Sequence, residues 1–234
     1  MFTAFNDYIL CRLRRKRKYI LCFYGLDGSG KSTQIMLLSK YLRSQGYKVA
    51  IAKVGTCHLL AKLLERIFVY LGYYVWRPST QCKLQKRIPK ELLRKSRIMR
   101  ILWALTNFLS SLVAIKVLVD FSLLYSDIVL VEDYIPRIMA DFKYALENHI
   151  KSYNIFITIF LRMISQFNAK YIHLTADYEE LKRRRGICME SYDYLDIQQY
   201  IYSIIDTISK SIVIDTKEDI NCTFSKVIRS LSAF

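Results

Sequence analysis

The sequence predicts an α/β fold: a three-layer sandwich with a mainly parallel sheet and a long helical insert. Two observations carry this. Short apolar, β-forming runs alternate with amphipathic helical ones along most of the chain. The first run also leads straight into a glycine-rich loop that opens a helix, and the next strand follows at the interval of a right-handed crossover.

The elements follow in order. Tyr19 to Tyr24 (YILCFY) is a strand. After the loop, QIMLLSKYLRSQGY places Ile35, Leu38 and Leu42 at helical spacing, with Gly46 as its stop. Lys48 to Val54 is the second strand, and residues 57 to 75 carry a Leu59, Leu60, Leu63, Leu64, Ile67 stripe that reads as helix. Ile101 to Ile115 is apolar but shorter than the roughly 20 residues of a membrane span, so a buried core helix is expected. Ser126 to Glu132 is a buried strand ending in an acid, with a helix over Pro136 to His149. Tyr153 to Leu161 fits either a strand or a buried helix. Tyr171 to Thr175 is a strand, Tyr178 to Arg185 a charged helix, and 194 to 210 another helix. Ser211 to Asp215 is the last strand, and a helix over Lys217 to Leu231 closes the chain, with Thr216 as its expected N-cap.

Composition bounds the rest. A chain of 234 residues with 53% hydrophobic and 24% charged residues is globular, and 7 Gly with 3 Pro exclude long flexible linkers. One domain over 19–234 is expected, preceded by a basic arm over 1–18 and carrying a basic helical insert over about 56–125. The six cysteines form no CxxC pair and do not cluster with the 3 histidines, which argues against a zinc site and fits a reducing, cytoplasmic setting. The net charge is +16. Two segments hold most of it: the arm, with Arg12 to Lys18 as RLRRKRK, and residues 77 to 100, with nine Lys or Arg against Glu91. An anionic partner is implied, and nucleotide, nucleic acid or an acidic membrane surface all qualify.

Gly25-Leu-Asp-Gly-Ser-Gly-Lys-Ser-Thr33 fits G-x-x-x-x-G-K-[ST], with a strand before and an amphipathic helix after. Glycines let the backbone turn with N–H groups pointing inward. The helix that follows presents its positive end to phosphate oxygens. Lys31 adds a charge for the β- and γ-phosphates, and Ser32 a hydroxyl for Mg²⁺. Gly25, Asp27, Gly28, Ser29, Gly30, Lys31, Ser32 and Thr33 are therefore the candidate ATP-binding residues. Thr216-Lys-Glu-Asp219 matches the base reader of GTPases. Their D-x-x-G is absent where it should fall, after a later strand, because no glycine lies between Gly72 and Gly186.

Phe23-Tyr-Gly-Leu-Asp-Gly-Ser-Gly-Lys-Ser-Thr-Gln34 resembles the opening of thymidylate kinases, F-x-G-L-D-G-x-G-K-S-T-Q. His173 to Gly186 resembles that family's strand, helix and arginine-bearing lid, and Ile212 to Asp215 its last strand. Ile128 to Tyr134 falls where the family has an apolar strand ending in D-R-Y. The resemblance spans about residues 19 to 232. It implies ATP-dependent phosphoryl transfer to a nucleoside monophosphate, with ATP and Mg²⁺. Lys31, Arg184 and Glu132 are the implied catalytic residues, Arg183 and Arg185 are further lid candidates, and Ser32 and Glu132 are the Mg²⁺ candidates. Asp27 is implied to accept a hydrogen bond from the acceptor sugar.

Two departures set an alternative beside this reading. D-R-Y becomes Glu132-Asp133-Tyr134, and the R-E-P-G loop becomes Lys53-Val-Gly-Thr56. Replacement arginines are sought in the insert, at Arg94, Arg97 and Arg100. The alternative is a nucleotide-binding protein with altered catalysis that uses its basic segments on nucleic acid or an anionic surface. A homodimer, through the apolar 101 to 115 helix, is also left open.

Overall fold

The computed structural model describes residues 18–55, 59–70, 96–146, 150–166, 169–186 and 192–232. Most of the basic arm, residues 77–95 and Arg94 lie outside them.

Five strands form one parallel sheet: β1 (Tyr19–Tyr24), β2 (Val49–Val54), β3 (Ile128–Asp133), β4 (Ala169–Thr175) and β5 (Ile212–Asp215). Their order across the sheet is β2-β3-β1-β4-β5, and every pairing is parallel. The helices are α1 (Lys31–Ser44), α2 (Leu59–Tyr70), α3 (Arg97–Ile115), α4 (Ser122–Tyr125), α5 (Tyr134–Leu146), α6 (Ile150–Gln166), α7 (Tyr178–Arg185), α8 (Tyr192–Ser209) and α9 (Ile220–Ser232). The ambiguous segment at 153–161 is helical, as part of α6. Its 17 residues exceed a usual strand, and length decides between two readings of an apolar run.

The two-residue period of the strands sorts the core into two layers. Ile20, Cys22 and Tyr24 of β1 face α3, α5, α6 and α8, while Leu21 and Phe23 face α1 and α9. Val129 and Val131 against Ile128 and Leu130 repeat the division on β3. The expected stripe on α1 is the buried one, Ile35, Leu38 and Leu42.

The Ile101–Ile115 segment departs from expectation. Trp103, Ala104, Asn107, Ser110, Ser111 and Ala114 face inward. Ile101, Leu105, Leu109, Val113 and Val117 form an exposed apolar stripe. The helix also continues past Lys116 through a π-helical turn, Lys116–Asp120, whose two terminal charges pair at 2.7 Å. The resulting stretch, 97–125, is long and apolar enough to cross a membrane by length and composition, and 28% of its most apolar part is buried. The inner face holds small and polar residues, which is why apolar content alone overstated its burial.

The start of α9 differs as well. Asp219 caps it, its Oδ1 accepting from the N–H groups of Asn221 and Cys222 at 2.6 and 3.0 Å. Thr216 instead donates its hydroxyl to the Thr175 carbonyl at 3.0 Å, tying β5 to β4.

Phe142 is fully buried, with the rings of Trp103, Phe156 and Phe160 centred 5.3, 5.3 and 5.6 Å away. Phe142→Ala is expected to cost about 3–5 kcal/mol of stability. Urea unfolding reads this directly, and a loss below about 1 kcal/mol would contradict this packing.

Candidate nucleotide site

The site lies at the carboxyl ends of the strands, where β1 is flanked by β3 on one side and β4 on the other. In an open parallel sheet this is where ligands bind. Gly25 leaves β1 at φ 146°, and a Cβ there would stand 2.1 Å from the Leu174 carbonyl oxygen. Only glycine lets the loop pass this close to β4. Gly30, at φ 87°, turns the chain into α1.

Lys31 is 5% exposed. Its Nζ donates to the carbonyls of Gly25 and Leu26 at 2.8 and 3.1 Å. It also faces Asp27 at 3.5 Å and Asp133 at 3.6 Å. Ser32 donates its hydroxyl to Glu132 Oε1 at 2.8 Å, so the two residues expected to share a metal stand together. Both offer hard oxygen donors, the chemistry Mg²⁺ takes, and that ion usually needs only one or two protein groups beside phosphate and water. No cluster of three or more metal-ligating side chains occurs among the described residues.

Glu132 and Asp133 end β3, and Asp133 and Tyr134 adopt φ of 71° and 50°. Left-handed backbone at two successive non-glycine residues costs on the order of 1–3 kcal/mol each and clusters at functional sites. It turns the Asp133 carboxyl toward Lys31. Burial pushes that carboxyl's pKa up, and the facing cations Lys31, Arg137 and Lys53 offset this only in part.

The expected lid helix, α7, brings two of its three arginines to the loop. Arg184 donates to the Gly28 carbonyl at 3.1 Å and to Thr216, at its hydroxyl and its carbonyl, at 3.2 and 2.6 Å. Arg185 reaches Asp27 at 3.4 Å. Arg183 is 77% exposed and pairs with Glu180 at 2.7 Å. Ser29 is buried, and its hydroxyl makes no hydrogen bond among the described residues. Gly28, Ser29, Gly30, Thr33, Arg183, Arg184 and the 216–220 turn border a cavity of about 700 Å³ beside β4 and β5.

Two cations here were not singled out from the sequence. Lys53, at the end of β2, donates to Glu132 at 2.9 Å and stands 3.8 Å from Asp133. Arg137, in the first turn of α5, reaches Asp27 at 3.7 Å. Arg97 and Arg100 lie in the first turn of α3. Among the described residues, α5 thus supplies an arginine beside the loop. Its position three residues past Tyr134 was the available signal, since a residue in the first turn of a helix that follows the strand stays near the strand's end.

No protein-family model matches the chain. Short stretches are similar to curated thymidylate kinases. A probable thymidylate kinase from Pyrococcus horikoshii is 42% identical over 53 residues, 23% of this chain and 26% of that protein. The thymidylate kinase of Thermosipho africanus is 66% identical over 29 residues, 12% of this chain and 14% of the relative. That of Caldicellulosiruptor saccharolyticus is 55% identical over 38 residues, 16% of this chain and 18% of the relative. The chain thus matches about a quarter or less of the length of these relatives. The crystal structure of thymidylate kinase from Ehrlichia chaffeensis superposes with a TM-score of 0.54 at 19% identity, covering 92% of this chain and 98% of that one. The fold is the P-loop α/β fold of a nucleotide kinase. Within that class the chain is thymidylate kinase-like in architecture and in these local matches.

Asp27 gives a pH test of the site. Burial pushes its carboxyl up, but Lys31, Arg137, Arg185 and Lys53 outweigh this and hold it below the usual carboxylate range. A depressed acid stabilises the fold above its unfolded pKa, about 3.9, and that contribution is lost as pH falls through the folded value. The chain is expected to melt above its Asp27→Asn variant at pH 7, with the gap closing as pH falls below about 4. A constant gap down to about pH 2.5 would contradict the cation cluster. Gly25→Ala is expected to lower the melting temperature, measurable by thermal denaturation, because its Cβ would meet the Leu174 carbonyl.

Proposed function

We propose that the chain transfers the γ-phosphoryl group of ATP to a nucleoside monophosphate, in the manner of a thymidylate kinase. The observation that carries this is the convergence on one loop of Lys31, the Ser32–Glu132 pair, Arg184 and Arg185, beside a cavity of nucleotide size. Phosphoryl transfer asks a protein for positioning and charge, and these groups supply both.

In this reading the ATP phosphates lie over residues 28–33, with the base toward the 216–220 turn. Backbone N–H groups at the start of α1 bind phosphate oxygens. The Lys31 ammonium moves from the Gly25 and Leu26 carbonyls onto the phosphates and spreads the developing charge. Arg184 and Arg185 close the lid over the loop and exclude water. Ser32 and Glu132 would hold Mg²⁺, which when bound neutralises the terminal phosphates. The name borne by the relatives puts thymidine monophosphate first among acceptors to try.

Asp133 favours a second reading. An acid facing Lys31 at 3.6 Å opposes anion binding, which suits a nucleotide-binding protein with altered catalysis.

The two readings separate in one assay: transfer from ATP with Mg²⁺ to a panel of nucleoside monophosphates and nucleosides, beside Lys31→Ala. Transfer to one acceptor is expected. In the variant, with folding checked by circular dichroism, it should fall by about a hundredfold or more. Undiminished transfer by Lys31→Ala overturns the assignment, and ATP binding without transfer to any acceptor supports the second reading.

A further inference from the structure

We infer that Arg137 receives the phosphate of the acceptor nucleotide; the inference rests on the phosphoryl-transfer reading above. Three observations lead to it.

The first is topology. The 700 Å³ cavity lies on the β4–β5 side of β1 and is bordered by the lid and the 216–220 turn. Arg137 follows β3, on the opposite side of β1, and is not among the residues bordering that cavity. A cation on the far side of Lys31 from the donor's cavity is placed for the other substrate.

The second is distance. Lys31 Nζ and Arg137 Nη1 face the same atom, Asp27 Oδ1, at 3.5 and 3.7 Å, so the two nitrogens are no more than about 7.2 Å apart. Charge-assisted hydrogen bonds to phosphate run about 2.7–2.9 Å. With Lys31 on the donor's phosphates, a phosphate held by Arg137 therefore lies next to the group that Lys31 holds. Both pairs with Asp27 are longer than such bonds, so phosphate oxygens gain a closer contact than the carboxylate offers.

The third is how the guanidinium is held. Asp141 Oδ1 stands 3.7 Å from its Nε, and the ring of Tyr194 lies beneath it, 5.1 Å from Cζ to the centroid. Tyr194 in turn donates its hydroxyl to Asp141. An arginine bracketed from behind and below, and still 18% exposed, is fixed in direction and reachable. Asp133, by contrast, is an acid, so residue 133 cannot supply this cation. Arg137 supplies it one helical turn later.

The test uses the full chain, Arg137→Gln and Arg137→Lys. Thermal melting checks folding, equilibrium binding measures ATP and thymidine monophosphate separately, and steady-state transfer gives acceptor KM and kcat. In folded Arg137→Gln, the Kd for thymidine monophosphate and the acceptor KM are expected to rise roughly tenfold or more, with ATP affinity within about twofold. Thymidine, which lacks the phosphate, should bind both proteins alike. Arg137→Lys keeps the charge without the fork and should fall between. An unchanged Kd for the monophosphate in folded Arg137→Gln overturns the inference, as does an equal loss for thymidine. If the parent chain binds the monophosphate through Arg137 but transfers nothing, the kinase reading fails and the inference stands. If it binds no monophosphate, the inference fails.

Discussion

A buried ammonium sets the terms for everything around it. Lys31 sits almost out of solvent, and a charge there is tolerable only with partners on every side. Two loop carbonyls and two carboxylates provide them, and each partner fixes a different part of the fold. The carbonyls of Gly25 and Leu26 require the loop to curl inward, which requires glycine where the chain passes Leu174. Asp133 requires β3 to end in left-handed backbone. Asp27 draws in Arg185 from α7 and Arg137 from α5. The lysine is therefore the point at which β1, β3, α7 and α5 meet.

Around that point the sheet divides the work. The β4–β5 side carries α7 and a cavity. The β3 side carries carboxylates, Lys53 and Arg137. Behind both, Tyr24 at the end of β1 stacks on His173 of β4, with ring centroids 4.7 Å apart, and both bond Asp206 of α8. Burial pushes Asp206 up, but hydrogen bonds from His173 and Tyr24 hold its carboxyl below the usual range. This network fixes the ends of β1 and β4, from which the loop and α7 spring.

Local pattern carried most of the fold. β1 is found where YILCFY predicts it, and α7 where its charged run does, because both are short segments with their own punctuation. The loop was legible from spacing alone. What was not legible depends on contacts distant in sequence. The exposed stripe on α3 follows from which face meets α2 and α5, and apolar content does not encode that. Asp219 rather than Thr216 caps α9 because Thr216 is taken by β4 and Arg184. Lys53 and Arg137 are ordinary surface-type residues by sequence. Only the sheet order brings the end of β2 and the first turn of α5 to the loop.

That order also has a temporal meaning. β1 is the central strand, yet both of its neighbours come much later in the chain: Ile20 pairs with Val129 on one side and Ala169 on the other. On a ribosome the phosphate loop therefore emerges long before anything exists to shape it. Gly25 has no carbonyl of Leu174 to pack against until the fourth strand has been made. Closing such distant contacts carries a large loop entropy and makes folding slow. The apolar first strand must wait unpaired until the chain has grown past its midpoint, and an unpaired apolar strand is the kind of segment that chaperones shield.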